Sequence, residues 1–415
     1  MRTSSYIERG SSAYRNANLA LFFAGFVTFS TIYTFQPLFP NLVKEFAISP
    51  VTASLTLSFT TFALAVTLPI SGSLSDAWGR RGIMGFAVIL GSLLALLSAV
   101  ELPLSTLLGV RLLQGIVLAG VPAVAMAYLN DEISPRAIGS AMGLYIAGNA
   151  CGGMSGRILT AYLSDLFSWR FAVTAIGLLS LLLAVLFLAL LPPSRNFQRR
   201  PLHLGQLSAS LLGHLRNPGL LCLFIIAFAC MGGFVTLYNY VTFRLLGSEY
   251  LLSQAQVAWI FLAYAFGAFG SSLTGGLVDR FGRAPVLFCA LTVMTAGLLL
   301  TLLPQLAALI TGIVIFTIGF FGTHTIASAW VGRLAGQSRA QASSLYLFAY
   351  YLGSSVSGTG GGFCFSTWGW TGVVLLILLL IGVAALAGLR LSTLMAEQQL
   401  TPGLPTPLVA QTDCK

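Results

Sequence analysis

Between two long apolar runs lie ten residues, Gly72 to Arg81, that read G-S-L-S-D-A-W-G-R-R. Asp76, Arg80 and Arg81 stand there about as close to hydrocarbon as charges are found, which makes the segment a short charged turn at a membrane surface. The pattern returns once: Gly275, Leu277, Asp279, Gly282 and Arg283 repeat Gly72, Leu74, Asp76, Gly79 and Arg80, each displaced by 203 residues, about half the chain. A charged hinge copied at that spacing predicts a duplicated bundle of spans.

Composition agrees. Only 8% of the residues are charged and 57% are hydrophobic, and the mean hydropathy of +0.89 excludes a soluble domain of this size. The excess of 21 Lys and Arg over 11 Asp and Glu is scattered at helix ends and forms no single basic face, which excludes a nucleic-acid partner. Six cysteines, at 151, 222, 230, 289, 364 and 414, contain no C-x-x-C pair, so free thiols are expected, without a disulfide or a metal site. No nucleophile-base set, phosphate-binding glycine loop or metal cluster stands out, so neither an enzyme nor an ATP-driven pump is expected, and no cofactor.

A hydrocarbon core of about 30 Å asks for about 20 apolar residues per span. Such runs begin near residues 17, 51, 83, 104, 138 and 170, and again near 219, 255, 285, 305, 341 and 370. Lipid leaves only helices as a way to satisfy their backbone groups. The expected fold class is therefore an all-α polytopic membrane protein, with twelve transmembrane helices in two pseudo-symmetric six-helix bundles. The expected divisions are an N-terminal segment 1–16, a first bundle 17–191, a linker 192–218, a second bundle 219–392 and a disordered tail 393–415. In the linker, Leu204, Leu207, Leu211 and Leu215 recur at helical spacing, which fits an amphipathic helix on the membrane surface as well as a flexible tether. With both termini cytoplasmic, sixteen basic residues fall in inner segments and only Lys44, Arg170 and Arg244 in outer ones, which sets the orientation.

The motif G-x-L-x-D-x-x-G-R-R at the first hinge resembles the loop between helices 2 and 3 of the major facilitator superfamily of secondary transporters. On the fourth span, Arg111, Gln114 and Gly115 form R-x-x-Q-G, similar to a second motif of that family in which the arginine faces the central cavity. An arginine at that depth must find water, a partner or a substrate, or else snorkel to the outer headgroups. The fifth span carries Gly148, Asn149, Gly152 and Gly153 in a pattern that resembles the family's antiporter motif, with Asn149 where that motif has proline. Close helix packing explains the same glycines. A glycine-rich run from Gly353 to Gly362 is the counterpart in the second half. The resemblance is strongest to a group of bacterial inner-membrane transporters placed near the drug-exporting antiporters.

The resemblance implies that the first, fourth, seventh and tenth spans line a central pathway. Their polar residues give the expected substrate cavity: Tyr33, Thr34, Gln36, Arg111, Gln114, Tyr238, Asn239 and His324. Tyrosines suit amphipathic substrates but also serve as interfacial anchors, and His324 is either a proton carrier or a neutral core histidine. The expected gating hinge comprises Gly72, Asp76, Gly79, Arg80, Asp131 and Glu132, with Gly275, Asp279, Gly282 and Arg283 as its copy. The two copies differ. Asp131 and Glu132 at the end of the fourth span can join Asp76 and Arg80 in a cluster that holds the inner side closed, whereas the corresponding end of the tenth span has Arg333 and no acid. Every acidic residue falls in a loop, a tail or a helix end. The expected activity is proton-coupled export of a small amphipathic solute through the inner membrane by a monomer among lipids. The alternatives are import or exchange of an anionic metabolite, or ligand sensing without transport.

Overall fold

The computed structural model describes residues 6–197, 199, 204–336 and 339–400. The first half runs α1 (Ser12–Tyr33), a 3-10 turn (Gln36–Leu38), α2 (Phe39–Phe46), α3 (Pro50–Trp78), α4 (Arg80–Leu97), α5 (Leu104–Leu118), α6 (Pro122–Glu132), α7 (Ile138–Leu166) and α8 (Trp169–Leu190). After α9 (Leu204–Leu215), the second half runs α10 (Pro218–Leu246), α11 (Gln254–Ala258), a 3-10 turn (Trp259–Leu262), α12 (Ala263–Phe281), α13 (Arg283–Leu300), α14 (Leu306–Leu334) and α15 (Arg339–Leu400). Among the described residues, ten helical stretches are long and apolar enough to cross a membrane. The glycine-rich α7 adds an eleventh crossing, and α15 holds two, because Gly369 leaves helical geometry at φ 59°. The expected twelve spans are present.

Helix starts follow local chemistry. Ser49 accepts a bond from Thr52 N at 3.2 Å with Pro50 next in line, and Asn217 caps Gly219 N at 3.0 Å ahead of α10, whose first residue is Pro218. At the hinges, Gly79 (φ +103°) and Gly282 (φ +81°) end one helix and begin the next, a backbone conformation that a side chain would strain. The turns at the other ends of the spans echo the duplication too, with Ala47 and Leu251 both at positive φ.

Within the first half, Gly148, Gly152 and Gly156 press α7 onto α1. A Cβ at these positions would lie 2.5 Å from Phe22 O, 2.3 Å from Phe26 O and 2.7 Å from the Ser30 Cα. These glycines are there for close packing. The second half repeats the device, since a Cβ on Gly353 would lie 2.0 Å from Phe228 O.

Among the described residues, the hydrogen bonds between the two halves lie toward one end. Ser355 Oγ donates to Ser58 O at 2.6 Å, and the hydroxyls of Thr359 and Ser58 are 2.8 Å apart. Gln254 Nε2 donates to Pro37 O at 3.0 Å and to Asn41 Oδ1 at 2.8 Å, while Ala255 N donates to Asp165 Oδ2 at 3.2 Å. All of these residues lie toward the ends of their spans away from the hinges. We refer to that end as the far face and to the other as the hinge face.

One boundary differs from expectation, and in the linker one of the two expected alternatives is seen. Residues 393–400, expected to be disordered, continue α15 as helix, with the hydroxyls of Ser392 and Thr393 bonded back into the preceding turn at 2.9 and 2.8 Å. The remainder of the tail lies outside the described residues. In the linker, α9 forms, with Leu211 packed against the core while Leu212 and Leu215 are exposed.

Candidate functional site

Where the halves meet, three polar side chains form a chain. Arg157 on α7 donates from Nε to Gln36 Oε1 at 2.5 Å and from Nη1 to Gly153 O at 2.7 Å. Gln36 then donates from Nε2 to Asn239 Oδ1 on α10 at 2.7 Å, which carries the chain from the first half into the second. The order follows from the chemistry. Because the guanidinium only donates, Gln36 must present its oxygen to it and its NH2 onward, so Asn239 accepts with its oxygen and turns its own NH2 away.

Aromatic rings enclose the charge. The Arg157 Cζ lies 3.8 Å from the Tyr33 ring centre, 4.8 Å from that of Tyr264 and 5.6 Å from that of Phe261. Cation–π contact of this kind compensates part of the cost of desolvating the guanidinium. The wall continues through the second half. Tyr238 stacks on Phe261 at 5.7 Å, Phe234 on Phe320 at 3.8 Å, and His324 lies against Phe320 at 6.2 Å and Tyr350 at 4.9 Å.

Of the expected cavity residues, the structure therefore brings together Tyr33, Gln36, Tyr238 and Asn239. Thr34 lies beside them, but its hydroxyl bonds back to Ser30 O at 2.6 Å. His324 belongs to the hinge-side end of the aromatic wall, with Nδ1 2.9 Å from the Tyr346 hydroxyl. The Tyr238 hydroxyl pairs with Thr317 at 2.9 Å, so it is a bonded core group rather than an interfacial anchor.

Arg111 corrects the sequence reading. It does not face a cavity: it is 0% exposed, and its guanidinium donates to Thr56 O at 2.9 Å, Thr31 O at 3.1 Å, Ile32 O at 2.7 Å and the side chain of Gln114. The reason lies in α1, whose last turn runs into a 3-10 turn containing Pro37, so its terminal carbonyls lack backbone donors. Arg111 supplies those donors and adds α3 to the same fastening, above the Phe35 ring at 4.7 Å. Gln114 completes it by donating to Gly91 O on α4 at 2.9 Å.

At the hinge face, Arg80 pairs with Asp76 at 2.5 Å and with Asp131 at 3.0 Å, and donates to Ser75 Oγ at 2.6 Å. This is the expected acid-arginine-acid cluster in part. Glu132 turns elsewhere, accepting from Asn196 N at 3.0 Å, and its own carbonyl takes Ile7 N at 2.8 Å. All these partners belong to the first half and the segments flanking it, so in this structure the cluster fastens one half and does not clamp the two halves together. Among the described residues Asp279 has no ion pair, and Arg283 lies over the Trp330 ring at 5.9 Å. Gly72 and Gly275 face open space. Asn149 sits against Gly25 of α1, where a Cβ would meet its Oδ1 at 2.2 Å.

Arg157 is the residue that the sequence reading left out. The signal was available: the basic residues assigned to loops account for all but Arg111 and Arg157, and an arginine inside a span marks a functional site by default.

Comparison with known proteins adds the wider context. The family model described as "Major Facilitator Superfamily" matches residues 21–247 and 238–407. The chain is 48% identical over 380 residues to the "Uncharacterized MFS-type transporter YybF" of Bacillus subtilis, covering 92% of this chain and 94% of that protein. It is 43% identical over 388 residues to the "Inner membrane transport protein YnfM" of Escherichia coli, covering 94% of this chain and 93% of that protein. A solved bacterial homologue of the human lysosomal transporter Spinster shares the fold, with a TM-score of 0.76 at 18% identity over 95% of this chain and 100% of that one.

Proposed function

Because the chain belongs to the major facilitator superfamily of secondary transporters, we propose that it carries a small amphipathic solute across the bacterial inner membrane by alternating access. The moving units are the bundles 17–191 and 219–392, and both termini face the cytoplasm. One observation carries this reading: the hydrogen bonds that cross between the halves gather at the far face, around Ser58, Gln254 and Asp165. In the proposed cycle the hinge face opens to expose the aromatic wall while the far face stays closed, and rocking of one bundle on the other exchanges the closed end. Rings with polar tips offer an amphipathic solute both apolar area and hydrogen bonds.

Export is coupled to protons through Asp76. What supports this is its place at the hinge face, bonded to Arg80 and part exposed, where a change between open and closed forms would alter its surroundings.

A cross-link tests the mechanism. In a cysteine-free background, Ser58→Cys with Thr359→Cys should form a disulfide, since the native hydroxyls are 2.8 Å apart. A third cysteine, Tyr350→Cys, reports exposure of the aromatic wall to a membrane-impermeant maleimide. Oxidised protein should label from the hinge face alone, and reduced protein from both faces. Labelling that stays on one face after reduction would refute alternating access.

A further inference from the structure

The chain of Arg157, Gln36 and Asn239 contains more donors than acceptors. Arg157 is 1% exposed, and among the described residues it has no carboxylate partner. Its guanidinium bonds to Gln36 and Gly153 and interacts with the Tyr33 side chain, and the rest of it meets aromatic side chains and no carboxylate. At the other end of the chain Asn239 is 0% exposed, and its Nδ2 has no hydrogen-bond partner. An unspent donor at one end and a positive charge with no carboxylate at the other make a costly arrangement for a merely structural group. Arg111 shows the alternative, because its charge is equally buried but its donors are spent on carbonyls.

Resting on the transport reading above, we propose that this chain is an anion-recognition site and that the transported solute is an organic carboxylate with an aromatic or aliphatic body. The carboxylate receives the free guanidinium donors when Tyr33 or Tyr264 turns aside, and the apolar body lies along the rings of Tyr264, Phe321 and Tyr350. A carboxylate fits better than a neutral acceptor, because it supplies both the missing lone pairs and the missing charge. Asn239 makes recognition depend on how the halves meet: its Nδ2 belongs to the second half and the guanidinium to the first, so the anion is held fully only while the two are in contact.

Equilibrium binding tests this without requiring transport. Purified full-length protein is melted with benzoate, salicylate and octanoate, and with benzamide, salicylamide and octanamide as neutral matches. At least one carboxylate should raise the melting temperature while its amide does not. Arg157→Gln should weaken that binding by about tenfold or more, and Arg157→Lys should retain part of it. Asn239→Asp gives a second readout, since it places a fixed negative charge in the site: the carboxylate response should vanish while the protein melts at or above wild type. Amides as effective as carboxylates, no response of wild type to any carboxylate, or a full response in Arg157→Gln would each overturn the proposal. Failure of alternating access alone would leave the carboxylate response intact and appear only in the maleimide labelling.

Discussion

Arg111 and Arg157 both lie inside spans of the first half, and both are shut away from solvent, at 0% and 1% exposed. Their surroundings separate them. Arg111 meets main-chain carbonyls of α1 and α3, so its donors complete a helix end that the sequence itself leaves unfinished. Arg157 meets rings, the Gln36 amide and a single main-chain carbonyl, that of Gly153 on its own helix, and it fastens no other helix end. A buried arginine is thus read by what takes up its donors, and depth in the membrane does not distinguish the two. The hinges repeat this contrast at the membrane surface, where Arg80 is held by two carboxylates and Arg283 by none among the described residues.

The largest effect should come from Arg111→Lys. An ammonium cannot span the carbonyls of Thr31, Ile32 and Thr56 as the planar fork does, so the substitution should cost about 3–5 kcal/mol, much as complete removal would. Size-exclusion profiles after stepwise heating measure this. A lysine variant as stable as wild type would mean that the fastening is not what the charge is for.

A smaller difference is expected between the hinges. Asp76→Asn breaks a pair with Arg80, whereas Asp279→Asn removes a carboxylate with no ion-pair partner among the described residues. The first should cost about 1 kcal/mol and impair alternation of maleimide labelling, and the second should do neither. Equal losses would remove the asymmetry from the account.

The smallest effect concerns Glu249 at the far face. Hydrogen bonds from Arg244 hold its carboxyl below the ordinary value. The folded value is depressed, so the contribution is present at neutral pH and is lost as pH falls through that lowered value. Glu249→Gln should flatten this part of the acid-side melting profile and leave the neutral melting temperature nearly unchanged, because the carboxylate is exposed and screened.

Much of the architecture was legible because it is periodic or duplicated. Apolar runs placed the spans, and the repeat at 203 residues found both hinge glycines, Gly79 and Gly282, whose positive φ explains why glycine recurs there. The site was legible only in part. Gln36 and Asn239 were named for their type, but their bond joins residues 203 positions apart, and no local pattern encodes it. Arg157 sits on a helix whose glycines already had a packing role, which hid its charge. For Arg111, sequence correctly required a partner in the membrane but could not supply one, because the carbonyls that satisfy it become free only when α1 ends beside Pro37.

The most direct test of the contrast is to purify Arg111→Gln and Arg157→Gln side by side and melt both against wild type in the same detergent. If Arg111 completes the fold and Arg157 serves a ligand, Arg157→Gln melts at or above wild type, having lost an uncompensated charge, while Arg111→Gln melts lower by about 5 °C or more. The reverse order, or an equal fall in both, would contradict the account.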